Sequence, residues 1–138
     1  MVNVLDKVQP KNKEQLKQLI NYAFKHNIYD LNFIDTSEIT DMSLLFSNCM
    51  HNFDVSSWDV SNVTNMGYMF YHCKNFNCDL SNWDVSKVKN MNYMFYNCKK
   101  FNCDLSYWDI SNMTRWKNTF CGCDKMTIPN WYKLYHKK

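Results

Sequence analysis

The residues of this chain whose type and spacing first suggest chemistry are its seven cysteines. Cys73 and Cys78 stand five positions apart in YHCKNFNCDLS, and Cys98 and Cys103 repeat the arrangement 25 residues later in YNCKKFNCDLS. Zinc would want ligands that converge tetrahedrally, usually as close C-x2-C pairs or with histidines in register. The C-x4-C spacing departs from that, and His26, His51, His72 and His136 share no register. Disulfide formation needs an oxidising compartment, whereas the N-terminal segment MVNVLDKVQPKNKEQLKQLI lacks the apolar core of a signal peptide. The odd number of thiols therefore reads as reduced and intracellular, and cysteine in that state packs as a small hydrophobe. Cys49, Cys73, Cys98 and Cys123 form one ladder of equivalent positions, and Cys78 and Cys103 form another. Cys121 replaces Tyr71 and Tyr96 at an outward position and is expected to be the accessible thiol.

Other residue types recur at the same interval. Asp35, Asp59, Asp84 and Asp109 make one acidic ladder, and Asp30, Asp54, Asp79 and Asp104 make a second. Like charges about 5 Å apart repel, so each carboxylate needs compensation. It comes either from a D-x-S turn, with Ser37, Ser61, Ser86 or Ser111 supplying donors, or from calcium bridging successive coils. The glycine-rich loops of calcium-binding repeats are missing, which favours the turn. Trp58, Trp83 and Trp108 would stack as well, either as a sugar- or peptide-binding stripe or, better supported by their alternation with Leu80 and Val85, as core. The chain offers no glycine-rich phosphate loop, no paired-carboxylate cleft and no nucleophile beside a base, so no enzyme and no cofactor are expected.

The elements that must position these residues follow from a repeat. WDVSNVTNMGYMFYHCKNFNCDLSN (58 to 82) and WDVSKVKNMNYMFYNCKKFNCDLSY (83 to 107) differ at six of 25 positions. A looser copy precedes them at 34 to 57, and a decaying one follows at 108 to 128. Within each copy Met66, Met69, Phe70 and Cys73, or Met91, Met94, Phe95 and Cys98, fall at i, i+3, i+4 and i+7, the spacing of a short helix. Phe76, Cys78 and Leu80 then alternate with polar residues, the spacing of a strand. The expected architecture is an α/β repeat solenoid, leucine-rich-repeat-like, with about four 25-residue coils and a short parallel sheet. One domain spans 1–138: a capping helix and first strand over 1–33, four repeats over 34–128, and a C-terminal cap over 129–138 in which Trp131, Leu134 and Tyr135 cover the last coil. The helix is read from Leu16, Leu19, Ile20, Ala23 and Phe24, with Pro10 before it and Asn27 as its stop.

With the entire run NVTNMGYMFYHCKNFNCDLSNWDVS and its lead-in DLNFIDTSEITDMSLLF, residues 10 to 128 resemble the 25/26-residue surface-protein repeats of mycoplasmas and other bacteria. These are grouped with BspA-like leucine-rich repeats and are also common in giant viruses of amoebae. The resemblance implies a repeat scaffold for adhesion or protein recognition with no catalytic residues to carry over. Cys78 and Cys103 stand where that family often has glycine, and no export signal is present. Both departures point to an intracellular or viral protein, and by analogy to a virion-associated one in the host cytoplasm or nucleus.

A formal charge of +3 and a pI of 8.4 fall short of a dedicated nucleic-acid binder, and no stretch is apolar for the length of a membrane span. The positions at which the two best copies differ mark the outer surface, and they place Lys87, Lys89, Lys100 and Tyr107 there, with Lys99, Lys117 and Lys125 on neighbouring turns. Two functions remain. The first is a non-enzymatic scaffold that binds another protein or itself, and the second is a basic surface module for nucleic acid or another anionic polymer.

Overall fold

The computed structural model describes residues 7–135, with the Tyr135 side chain and residues 136–138 of the expected C-terminal cap outside the described part. Helix α1 (Lys13–Lys25) is the element expected at the N-terminus. Asn12 caps it from extended backbone, its side chain accepting from Gln15 N, and Gln15 Oε1 accepts from Lys11 N, so two otherwise orphaned donors are satisfied. The helix ends because Asn27 turns left-handed at φ 57°, letting Ile28 N–H reach back to Ala23 O. Leu16, Ile20 and Ala23 on its inner face are buried against the first repeat, each large side chain contributing about 1.5–3 kcal/mol. Helix α2 (Asn130–Tyr135) sits at the other end, where Trp131 and Tyr132 pack on Phe120. Leu134, expected to cover the last coil with them, is 69% exposed.

Between the helices the structure overturns the α/β solenoid reading. Helix amounts to 14% of the chain and strand pairing to 6%, and no sheet forms among the described residues. Among the described residues the pairing consists of isolated parallel bridges such as Asp41 to Asn65, Asn65 to Asn90 and Asp30 to Asp54. The repeats are instead built from consecutive four-residue turns. In the second copy Met69 N–H bonds Met66 O, Tyr71 N–H bonds Tyr68 O, and Cys73 N–H bonds Phe70 O. Tyr68 at φ 58° and His72 at φ 59° occupy the third positions of two of these turns, where a type II turn needs a left-handed residue. Leu44 and Asn48, then Tyr93 and Asn97, then Asn118 and Gly122 do the same in the other copies. A left-handed residue every fourth position forbids a helix, yet it returns side chains 66, 69, 70 and 73 to the interior with nearly helical spacing.

These turns release every second N–H from local bonding and aim it at the next repeat. Met66, Tyr68, Phe70 and His72 donate to the carbonyls of Asn90, Asn92, Met94 and Tyr96 at 2.8–2.9 Å. Four equivalent bonds join the first copy to the second and four join the third to the fourth. Across 76–80 burial alternates as expected, but the backbones are bridged by side chains. Asn77 N–H bonds Asn52 Oδ1, Asn102 N–H bonds Asn77 Oδ1, and Leu80 N–H meets Cys103 Sγ. A carboxamide inserted where a backbone carbonyl would serve keeps the chains too far apart for strand pairing.

The interior consists of matched columns. Phe46, Phe70, Phe95 and Phe120 stack at 5.7, 5.5 and 5.6 Å with their planes within 10°. Phe53, Phe76 and Phe101 form a second column beside them. Each offset stack contributes about 0.5–1.5 kcal/mol beyond area burial.

The left-handed backbone has a direct test at Asn48, which is exposed with φ 63°. Asn48→Ala should be less stable than Asn48→Gly by about 1 kcal/mol in urea denaturation, because a Cβ opposes that conformation. A helical backbone would give the reverse order by about the same amount.

Candidate interaction surfaces

The cysteine and tryptophan ladders face inward. Cys73, Cys98 and Cys123 donate their S–H groups to the carbonyls of Phe46, Phe70 and Phe95 one repeat back, at 2.9–3.0 Å. Cys78 and Cys103 are buried and lie 3.6 and 3.5 Å from Asp54 Oδ1 and Asp79 Oδ1. Burial pushes the Cys73, Cys78 and Cys123 thiols up to about 12 and Cys103 to about 11, and it raises Cys98 and the half-buried Cys49 as well. Cys121 is exposed. All seven are free thiols. Trp58, Trp83 and Trp108 are at most 5% exposed, and each indole N–H bonds a carbonyl 27 or 28 residues back, Leu31 O, Val55 O or Leu80 O. Trp131 makes the same bond to Leu105 O, so α2 extends the column.

Both aspartate ladders lie on the surface, and each carboxylate is occupied by its own turn. Ser81 donates N–H and Oγ–H to Asp79 Oδ1 at 3.0 and 2.7 Å, and Ser86 and Ser106 do the same for Asp84 and Asp104. The serine hydroxyl and then its N–H hold all three carboxyls below the ordinary carboxylate value. Asp54, Asp79 and Asp104 also wall a shallow furrow along the stack, opposite Asn52, Asn77 and Asn102. Its segments, about 390, 370 and 410 Å³, share Asn77 to Asp79 and Asn102 to Asp104, so the furrow is continuous from Tyr29 to Asn130.

The lysines of the expected interaction surface are exposed and lie on both flanks of the turn ladder. Lys87 and Lys89 precede the turns 91–98, while Lys99 and Lys100 follow them, so the width of the turn ladder separates the two pairs. Lys87 Nζ is bonded to Asn62 Oδ1, and Lys99 pairs with Asp124 at 3.4 Å. Lys117 and Lys125 are exposed in the last repeat, and Tyr107 stands alone at 92% exposure.

A surface cluster lies on the outer side of the turn ladder; sequence reasoning put Tyr71 and Tyr96 at an outward position but did not join them with Tyr68 and Tyr93. Tyr68 stacks on Tyr93 at 4.9 Å and Tyr71 on Tyr96 at 5.3 Å, both with planes 13° apart. The two columns touch through Tyr68 with Tyr71 and Tyr93 with Tyr96, and His72 packs on Tyr71 at 4.2 Å. Asn118 continues the first column and donates Nδ2–H to Tyr93 Oη, and Leu44, 53% exposed, stands at its other end. Taking variation between copies as the mark of the surface conceals this ridge, because all four tyrosines are identical between the two best copies. Their recurrence at positions outside the apolar register is the signal that finds them.

With this geometry in place, comparison with known proteins finds one family: the model described as "Mycoplasma protein of unknown function, DUF285" matches residues 14–131. No curated protein and no solved structure matches. Among the described residues no helix is long and apolar enough to cross a membrane.

The burial of the thiols sets their reactivity. At pH 8 a thiol raised to about 12 is ionised in only about one molecule in ten thousand. A disulfide reagent added to native protein should therefore find one fast thiol per chain, lost in Cys121→Ser, with the buried ladder reacting only on unfolding.

Proposed function

The chain belongs to the DUF285 family of mycoplasma-type repeat proteins, and from that premise we propose a non-enzymatic repeat scaffold that recognises another protein through its tyrosine ridge. The observation that carries this reading is the backbone under the tyrosines. Tyr68 and Tyr93 hold φ of 58° and 56°, a region that costs a bulky L-residue about 1–2 kcal/mol. The fourth repeat fills the same position with Asn118, which tolerates it more cheaply. Two tyrosines are thus kept at a conformational cost that asparagine would lower, and strain held at a surface cluster, with Tyr68 37% exposed and Tyr71, Tyr93 and Tyr96 half-buried, is a mark of function.

The orientation of the rings favours protein over nucleic acid. Tyr68 and Tyr93, and Tyr71 and Tyr96, each spend one face on the other, which leaves less ring face free for an outside partner. A platform for bases needs free faces. Rigid, amphipathic tyrosine edges suit a protein surface, where such side chains give large contact area at low entropy cost. The lysines, divided between two sides of the repeat, give weaker support to the alternative of an anionic-polymer module.

The paired substitution Tyr68→Asn with Tyr93→Asn relieves the strain and removes the ridge. In affinity isolation from the native cell it should retain a cooperative unfolding transition and lose bound protein, with affinity falling about 30-fold or more. Lys87→Glu with Lys89→Glu should bind as the unaltered chain does. Loss of binding in the lysine variant, with a steep fall as salt rises, would instead favour the anionic-polymer module.

A further inference from the structure

The geometry points to a second copy of this chain as the occupant of the tyrosine ridge, docked through its own aspartate furrow. This rests on the reading of the ridge as a binding surface. Charge is segregated within the second and third repeats in a way that the net value of +3 conceals. The ridge segments 66–75 and 91–100 carry Lys74, Lys99 and Lys100 and no acid. About half a repeat further on, 76–86 and 101–111 carry Asp79, Asp84, Asp104 and Asp109 and no lysine or arginine. Tyr68 and Tyr71 precede the furrow carboxylate Asp79 by 11 and 8 residues of a 25-residue coil, so the donor-rich and acceptor-rich segments occupy different stretches of the coil's surface.

Hydrogen-bonding capacity is unspent on both. Ser56, Ser81 and Ser106 occupy Oδ1 of Asp54, Asp79 and Asp104, and Oδ2 of each takes no hydrogen bond from any described residue. On the ridge the hydroxyls of Tyr68, Tyr71 and Tyr96 donate to no described residue. A generic acidic partner would satisfy the charge, but a second copy also satisfies the spacing. Ridge tyrosines and furrow carboxylates both advance by one coil, 4.9–5.3 Å between stacked rings, so if one tyrosine meets one carboxylate the next pair falls into register. The contact is heterologous: the copy that gives its ridge keeps an unused furrow, the copy that gives its furrow keeps an unused ridge, and association runs into open rows.

Sedimentation velocity over a concentration series tests this with two variants. Tyr71→Ala with Tyr96→Ala removes part of the ridge at positions without positive φ. Asp79→Asn with Asp104→Asn removes furrow charge and keeps an oxygen for the serine turn. The unaltered chain should form a concentration-dependent series of oligomers that weakens with salt, and each variant alone should associate at least about tenfold more weakly. Mixed, the two variants should give a dimer and nothing larger, since one intact ridge meets one intact furrow. A monomer at every concentration, undiminished association of both variants, or a mixture that stays monomeric each overturns the second copy as occupant. If the unaltered chain is monomeric yet the ridge variant loses a captured acidic protein, the ridge reading stands and this inference falls. If capture also persists in the variant, both fall.

Discussion

The left-handed residue at every fourth position of the turn ladder is the constraint on which the rest of the structure depends. It converts what would be a helical turn into a four-residue turn whose alternate N–H groups cannot bond locally. Those groups must find acceptors, and the next repeat supplies them at Asn90, Asn92, Met94 and Tyr96. Stacking is thus a requirement of the backbone as well as a means of burying phenylalanine and methionine. The same conformation sets the choice of residue. Asn48, Asn97, Asn118 and Gly122 accept it readily, and at Gly122 a Cβ would run into the Asn97 carboxamide.

The 25-residue period and the buried set were legible in the sequence because both depend on side-chain register alone. Met66, Met69, Phe70 and Cys73 return to one side whether the backbone is a helix or a run of turns, so apolar spacing cannot separate the two. Residues at positive φ separate them, but Leu44, Tyr68 and Tyr93 hide that signal, since none is a residue associated with left-handed backbone. The strand reading failed for a different reason. Alternation of Phe76, Cys78 and Leu80 reports which side chains point inward and says nothing of what the backbone bonds to. Here Asn52 and Asn77 stand in for backbone carbonyls, and asparagine at an exposed turn position looks ordinary in a sequence.

The same division runs through the surface. The inward direction of the cysteines and tryptophans could be read from register, and the serine compensation of the aspartates from the D-x-S pattern. The tyrosine ridge was legible only in part: Tyr71 and Tyr96 were read as outward, but contrast between copies detects surface that varies and passes over surface that is repeated, so their pairing with Tyr68 and Tyr93 was missed. The division of Lys87 and Lys89 from Lys99 and Lys100 by the turns 91–98 was not legible either. Lys89 and Lys99 are ten positions apart in sequence, but the turns between them place one pair of lysines on each side of the ladder.

Stacking identical units makes every residue choice a column, and columns amplify whatever like side chains do to one another. Phenylalanine beside phenylalanine gains, as the near-parallel rings show, and Asn90 beside Asn65 gains a carboxamide bond. Aspartate beside aspartate loses, and the serine two residues on is what offsets the loss, so Asp and Ser have to recur together. Tyrosine at positive φ also loses, with ring stacking offsetting part of the cost. The interior columns are therefore comfortable, while repulsion and strain are both confined to surface columns half a repeat apart. A chain selected only to fold would relieve both, with Asn at the tyrosine positions and uncharged turn residues at the aspartates. Serine donors and tyrosine stacking therefore recur in the surface columns, where the repulsion and the strain arise.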